Sequence, residues 1–112
     1  MKTKDQQIIN YIFNYCEDIN STIKRLNSDF ELFMQDRDMY NSISMSILQI
    51  GELSDKLSDE FIEENNGFPW KLIKEERNKI AHSYMRKGVE GTWDFAVEQV
   101  PKLQEYLKER IT

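Results

Sequence analysis

The chain has 112 residues, 39% of them hydrophobic and 31% charged, enough apolar material for a single domain over 1–112 and too much for a disordered chain. Its net charge of −5 excludes a protein that grips nucleic acid with its whole surface, and its single cysteine, Cys16, excludes an intrachain disulfide. No apolar run approaches the ~18–20 residues of a membrane span, and the polar opening Met1–Gln7 lacks a signal peptide's apolar stretch, so a cytoplasmic protein without a membrane partner is expected.

Apolar residues recur at helical spacing almost throughout. Ile8, Ile12, Tyr15, Ile19, Ile23 and Leu26 form one stripe of a first helix, with Cys16 beside it as a small core residue. The pattern breaks from Leu26 to Asp38, where Asn27, Ser28 and Asp29 read as stop and turn residues. A second stripe, from Met39 through Ile43, Ile47, Ile50, Leu53 and Leu57 to Phe61, predicts a long helix from about Asp36 to Glu60, N-capped by Asp36. The small residues Ser42, Ser44, Ser46 and Gly51 along it would let another helix approach closely. Asn65-Asn66-Gly67 ends this region, and Pro69 suits the first turn of a third helix carrying Trp70, Ile73, Ile80 and Ala81 and fading near His82–Tyr84. Gly88 and Gly91 are expected to bound a loop. Thr92 then looks like the N-cap of a last helix, with Trp93, Val97, Val100, Leu103 and Leu107 inward and a kink or split at Pro101. The expectation is an all-α, up-down bundle of four to five helices. Trp70 and Trp93 read as core anchors rather than base-stacking platforms.

Charge is uneven along the chain. Between Lys71 and Lys87 six cations face two anions, so this stretch carries +4 and the remainder −9. Such a run is either a solvated helix face or a surface for phosphate. Inside it lies Glu76-Arg77-Asn78-Lys79-Ile80-Ala81-His82-Ser83-Tyr84, with the chain's only histidine. Histidine moves protons near neutral pH, arginine offers a planar positive fork to phosphate oxygens, and asparagine orients a hydroxyl or donates to a phosphate. Together these residue types suit phosphodiester chemistry without a metal, and one histidine with one cysteine offers none of the usual zinc sets, so no metal or other cofactor is expected. The bland alternative is a histidine at a helix C-terminus, favoured there by the dipole. Geometry adds a constraint: on an unbroken α-helix, Arg77 and His82 stand about 140° apart. Either the helix unwinds within the motif or a second copy of the chain completes the site. Tyr84, about two turns after Arg77, returns to the arginine's face if the helix continues.

The sequence resembles the HEPN superfamily, and within it the HepT-like ribonuclease toxins encoded beside a minimal nucleotidyltransferase antitoxin, MntA. Arg77, His82 and Tyr84 match the family motif Arg-x-x-x-x-His-x-Tyr, with polar Asn78 directly after the arginine; Ser83 stands where relatives often carry glutamate. Ile50-Gly51-Glu52, Pro69-Trp70, Trp93 and Pro101 match in order, so the likeness spans about Asp36 to Leu107. The resemblance implies a helical homodimer whose two motifs face one cleft, a metal-independent endoribonuclease in active relatives. On this chain it implies His82 as the acid–base group, Arg77 as the stabiliser of phosphorane charge and Asn78 as the group that positions the phosphate or the 2′-hydroxyl. It also implies a type VII-like toxin–antitoxin system in which an MntA-like partner transfers AMP to Tyr84. Lys79, Arg86 and Lys87 become candidates for guiding RNA, or remain a solvated face. Glu52 has two readings, a contact to the motif arginine or a buried helix–helix pairing. From a different class, the rival is a non-catalytic helical adaptor that presents its tyrosine to the nucleotidyltransferase. A bundle-core metal site is disfavoured, because no Glu-x-x-His pair is present.

Overall fold

The computed structural model describes residues 3–82 and 88–111, and for His82 the backbone alone. The described residues are helical, without a strand. Helix α1 (Thr3–Arg25) buries Ile8, Ile9, Ile12, Cys16, Ile19 and Ile23 on one side. It ends where Asn27 and Ser28 both turn left-handed, each with φ 54°, and the Ser28 N–H donates back to the Ile23 carbonyl at 3.0 Å. Sequence reading leaves the next stretch as turn. Instead Asp29 caps a short helix, α2 (Phe30–Gln35), its carboxylate accepting from the Glu31 and Leu32 N–H groups. Two turns of helix fit here because Phe33 is fully buried and stacks 5.0 Å from Trp93, a long-range partner that local pattern cannot reveal.

Helix α3 (Arg37–Ser54) starts as expected, with the Asp36 carboxylate accepting from the Met39 N–H at 3.1 Å. It does not reach Glu60. Of the end of the stripe, Leu57 lies in the turn after α3 and Phe61 belongs to a separate helix, α4 (Asp59–Glu64), whose N-cap Ser58 accepts from the Phe61 N–H. The break is made from outside the stripe. Asp5 of α1, itself buried, accepts from both the Ser58 N–H at 2.9 Å and the Ser58 hydroxyl at 2.7 Å. A buried carboxylate must be hydrogen-bonded, and turning the chain at Ser58 supplies the donors.

Helix α5 (Trp70–His82) follows directly after Pro69. The loop predicted between Gly88 and Gly91 is replaced by helix α6 (Val89–Asp94), with Gly91 inside it and exposed. Thr92 is likewise no N-cap: it lies within α6, fully buried, its hydroxyl without a hydrogen-bond partner among the described residues. A π-turn (Phe95–Gln99) continues into α7 (Val100–Lys108). Pro101 has no N–H and its ring crowds the turn before it, and the helix answers by widening: the Val100 N–H donates five residues back, to the Phe95 carbonyl. The predicted interruption at Pro101 is therefore met by a π-turn on its N-terminal side.

Helix α1 packs between α3 and α7, and α3 packs between α1 and α5. The core of isoleucines on α1 and α3 with Val100, Leu103 and Leu107 of α7 lies among α1, α3 and α7. Helix α5 sits at the edge, its principal neighbour α3, and it carries Arg77 and Asn78 and ends at His82.

Candidate active site

The helical backbone of α5 runs unbroken from Trp70 through His82. Its first turn is fixed by apolar contact. The Trp70 ring meets Phe61, Phe68 and Tyr106 edge-on at 5.4–6.3 Å, and its indole N–H donates to the Asn65 carbonyl at 2.8 Å. Trp70 and Trp93 are both anchors of the packing, as their residue type suggests. Further along, Ile73 and Glu76 are buried, while Lys71, Lys74, Glu75, Asn78 and Lys79 are exposed. Those exposed positions recur every three or four residues and form one outward stripe.

Arg77 lies on the flank between this stripe and α3. Its aliphatic stem runs over Gly51: a Cβ built there would stand 2.7 Å from both Cβ and Cγ of Arg77. The expected close approach is thus made at Gly51, and the group that approaches is the motif arginine. The guanidinium then meets the next residue of α3. Glu52 Oε1 accepts from Arg77 Nε at 2.9 Å and from Nη2 at 2.5 Å. Asp55 Oδ2, one turn on, lies 3.8 Å from Nη1, and Asn78 Oδ1 accepts from Nη1 at 3.3 Å. The side chains of Arg77 and Glu52 are 29% and 50% exposed, so their pairing is a surface contact; of the two readings of Glu52, the buried one is overturned.

Sequence reasoning missed Asp55, although its spacing from Glu52 places the two on one helical face. It also missed Glu76, whose carboxyl is pushed above its ordinary value by burial, with Asp94 adding to the rise and Lys79 opposing it. Of the predicted site residues, Arg77 and Asn78 are in direct contact, and Lys79 is exposed on the same helix. The His82 side chain, Tyr84, Arg86 and Lys87 lie outside the described residues. Among the described residues no three His, Cys, Asp or Glu side chains converge to hold a metal ion, and no helix is long and apolar enough to cross a membrane.

The family model for HepT-like ribonucleases matches residues 12–110. The chain belongs to the HepT-like ribonuclease family. It is 29% identical to a provisionally named RNase of Caldanaerobacter subterraneus subsp. tengcongensis, over 97% of this chain and 95% of that protein. A provisionally named RNase of Methanocaldococcus jannaschii is 26% identical over 88% of this chain and 86% of its own length. A "Probable ribonuclease HepT" of Thermococcus cleftensis is also 26% identical, over 81% of this chain and 87% of that protein. No solved structure matches. Within this HepT-like chain, Arg77 forms a cluster with Asn78, Glu52 and Asp55 at an accessible edge of the bundle.

Proposed function

We propose that the protein is the endoribonuclease toxin of a type VII-like toxin–antitoxin pair, cleaving RNA without a metal through Arg77, Asn78 and His82. The observation that carries this reading is the presentation of Arg77: a guanidinium aligned by α3, touching Asn78 and open to solvent, in a chain of a ribonuclease family. In the proposed reaction the ribose 2′-oxygen attacks phosphorus and the bond to the 5′-oxygen breaks, leaving a 2′,3′-cyclic phosphate and a 5′-hydroxyl. A proton leaves the 2′-hydroxyl and one is delivered to the departing oxygen, which is work for histidine. Arg77 stabilises the charge that grows on the equatorial oxygens.

The intact helical backbone through position 82 bears on the alternatives left open by spacing. With α5 unbroken, about 140° separates Arg77 from His82 around the helix axis. This supports completion of the site by a second copy of the chain, in which two histidines divide the proton transfers. Homodimerisation along the exposed stripe of α5 would bring two motifs to one cleft. Neutralisation follows in the same reading: an MntA-like nucleotidyltransferase adds AMP to Tyr84, and the anionic adduct repels RNA phosphates from the cleft. Lys79, with Arg86 and Lys87, would guide the RNA.

The test is incubation of the purified protein, shown by mass to be unmodified at Tyr84, with total RNA and EDTA, beside the His82→Ala protein. Cleavage by the native chain alone is expected. Cleavage by both would remove His82 from the mechanism, and cleavage by neither would favour the adaptor reading.

A further inference from the structure

An arginine has five N–H donors arranged as a planar fork. Among the described residues, three of those on Arg77 are engaged: Nε–H and one Nη2–H by Glu52, and one Nη1–H by Asn78. No hydrogen bond among the described residues takes the second N–H of either terminal nitrogen, and Asp55 Oδ2 stands off at 3.8 Å from Nη1. Two such donors are the number that a two-point contact to phosphate uses. Glu52 therefore occupies the side edge of the guanidinium and leaves its end for a ligand. The stem is seated against the bare backbone of Gly51. With Oδ1 of Asn78 turned to Arg77, its amide NH2 is left to donate elsewhere.

We infer that Glu52 is the positioning residue of Arg77, holding the guanidinium plane so that its free end meets the phosphate in the transition state. This rests on the reading of Arg77 as the phosphate-binding group of a ribonuclease. Two features separate the role from a stabilising salt bridge. The pair is too exposed to add much to folding, because solvent screens it. Charge also argues in the opposite direction from binding: Glu52 and Asp55 lower the positive potential that attracts RNA, so removing Glu52 does not weaken substrate affinity. What it removes is orientation, and misplacing a reacting group by about 1 Å costs on the order of 10²-fold in rate.

The experiment measures kcat and KM for an RNA oligonucleotide that the native protein cleaves, in Glu52→Ala, Glu52→Gln and Arg77→Ala, each with a thermal melt. Glu52→Ala is expected to lose roughly 10-fold or more in kcat, with KM unchanged or lower and the melting temperature kept. Glu52→Gln, whose amide oxygen still accepts from Nε and Nη2, recovers most of that loss. The inference is overturned if Glu52→Ala keeps full kcat while Arg77→Ala is inactive. It is equally overturned if the loss lies in KM, if glutamine restores nothing, or if Glu52→Ala melts well below the native protein. Full activity in Arg77→Ala would instead strike the assignment of the site itself.

Discussion

Two arginines, Arg77 and Arg110, sit at the two ends of α5's neighbourhood and are used in opposite ways. Arg110 donates to the Asn65 side chain at 2.8 Å and to the Tyr106 carbonyl at 2.6 Å, and its guanidinium stacks 3.9 Å over the Tyr106 ring. Its own carbonyl accepts from Gln6, so it ties α1, the turn after α4 and α7 together. All these partners are neutral, and the cation is consumed by packing. Arg77 is gripped by carboxylates yet keeps an exposed end. An ion pair this exposed is worth ~0–1 kcal/mol, while a glycine inside a helix costs about 0.5–1 kcal/mol relative to alanine. The two terms are of similar size and largely offset one another. A cation held with little gain in stability and left accessible points to function.

That contrast is broken or sharpened by exchanging the roles. Arg77→Ala should lower RNA cleavage by about 10²–10³-fold, the scale of removing one transition-state donor, and leave the melting temperature nearly unchanged. Arg110→Ala should reverse the pattern: about 2 kcal/mol less stable, from lost hydrogen bonds and ring contact, with cleavage kept below the melt. Parallel denaturant titrations and cleavage assays read both, and a stability loss in Arg77→Ala equal to that in Arg110→Ala would erase the distinction. Gly51→Ala tests the seat itself. Helix propensity alone favours alanine, but the new methyl meets the Arg77 stem at 2.7 Å, so a net loss of about 1–3 kcal/mol and a fall in cleavage are expected. A stabilised, fully active Gly51→Ala protein would refute the close approach.

The smallest effect concerns the two buried carboxylates. Asp5 accepts from two donors of Ser58, whereas Glu76, one residue from Arg77, is buried beside Asp94 with its carboxyl pushed above the ordinary value near 4.5. A raised acid takes up protons on folding, so between its ordinary and its raised value stability falls as pH rises. Glu76→Gln should therefore melt higher than the native protein at pH 7, and the gap should close as the pH is lowered toward 4.5. A gap that does not change with pH would assign the effect to shape rather than ionisation.

The periodic apolar stripes made α1, α3 and α5 legible in sequence, because a 3.6-residue repeat is a local property that survives packing. Asp36 was legible as a cap for the same reason, since a cap bonds within its own turn. The misreadings share the opposite cause. Helix α2 exists because Phe33 finds Trp93; α3 stops because Asp5 claims Ser58; Gly91 and Thr92 are helical within a segment that Pro101 widens into a π-turn. Each of those decisions lies with a residue elsewhere in the chain or with a turn further on.

The candidate site divides along the same line. Residue order alone singled out Arg77 with Asn78, His82 and Tyr84 as candidates, because residue types and their order along the chain are what a resemblance compares. Which carboxylates hold the arginine, which donors it keeps and which edge of the bundle it occupies were decided only when α3 packed on α5. Glu52 and Arg77 are distant in sequence, and only the glycine-sized gap between two packed helices brings their charges together.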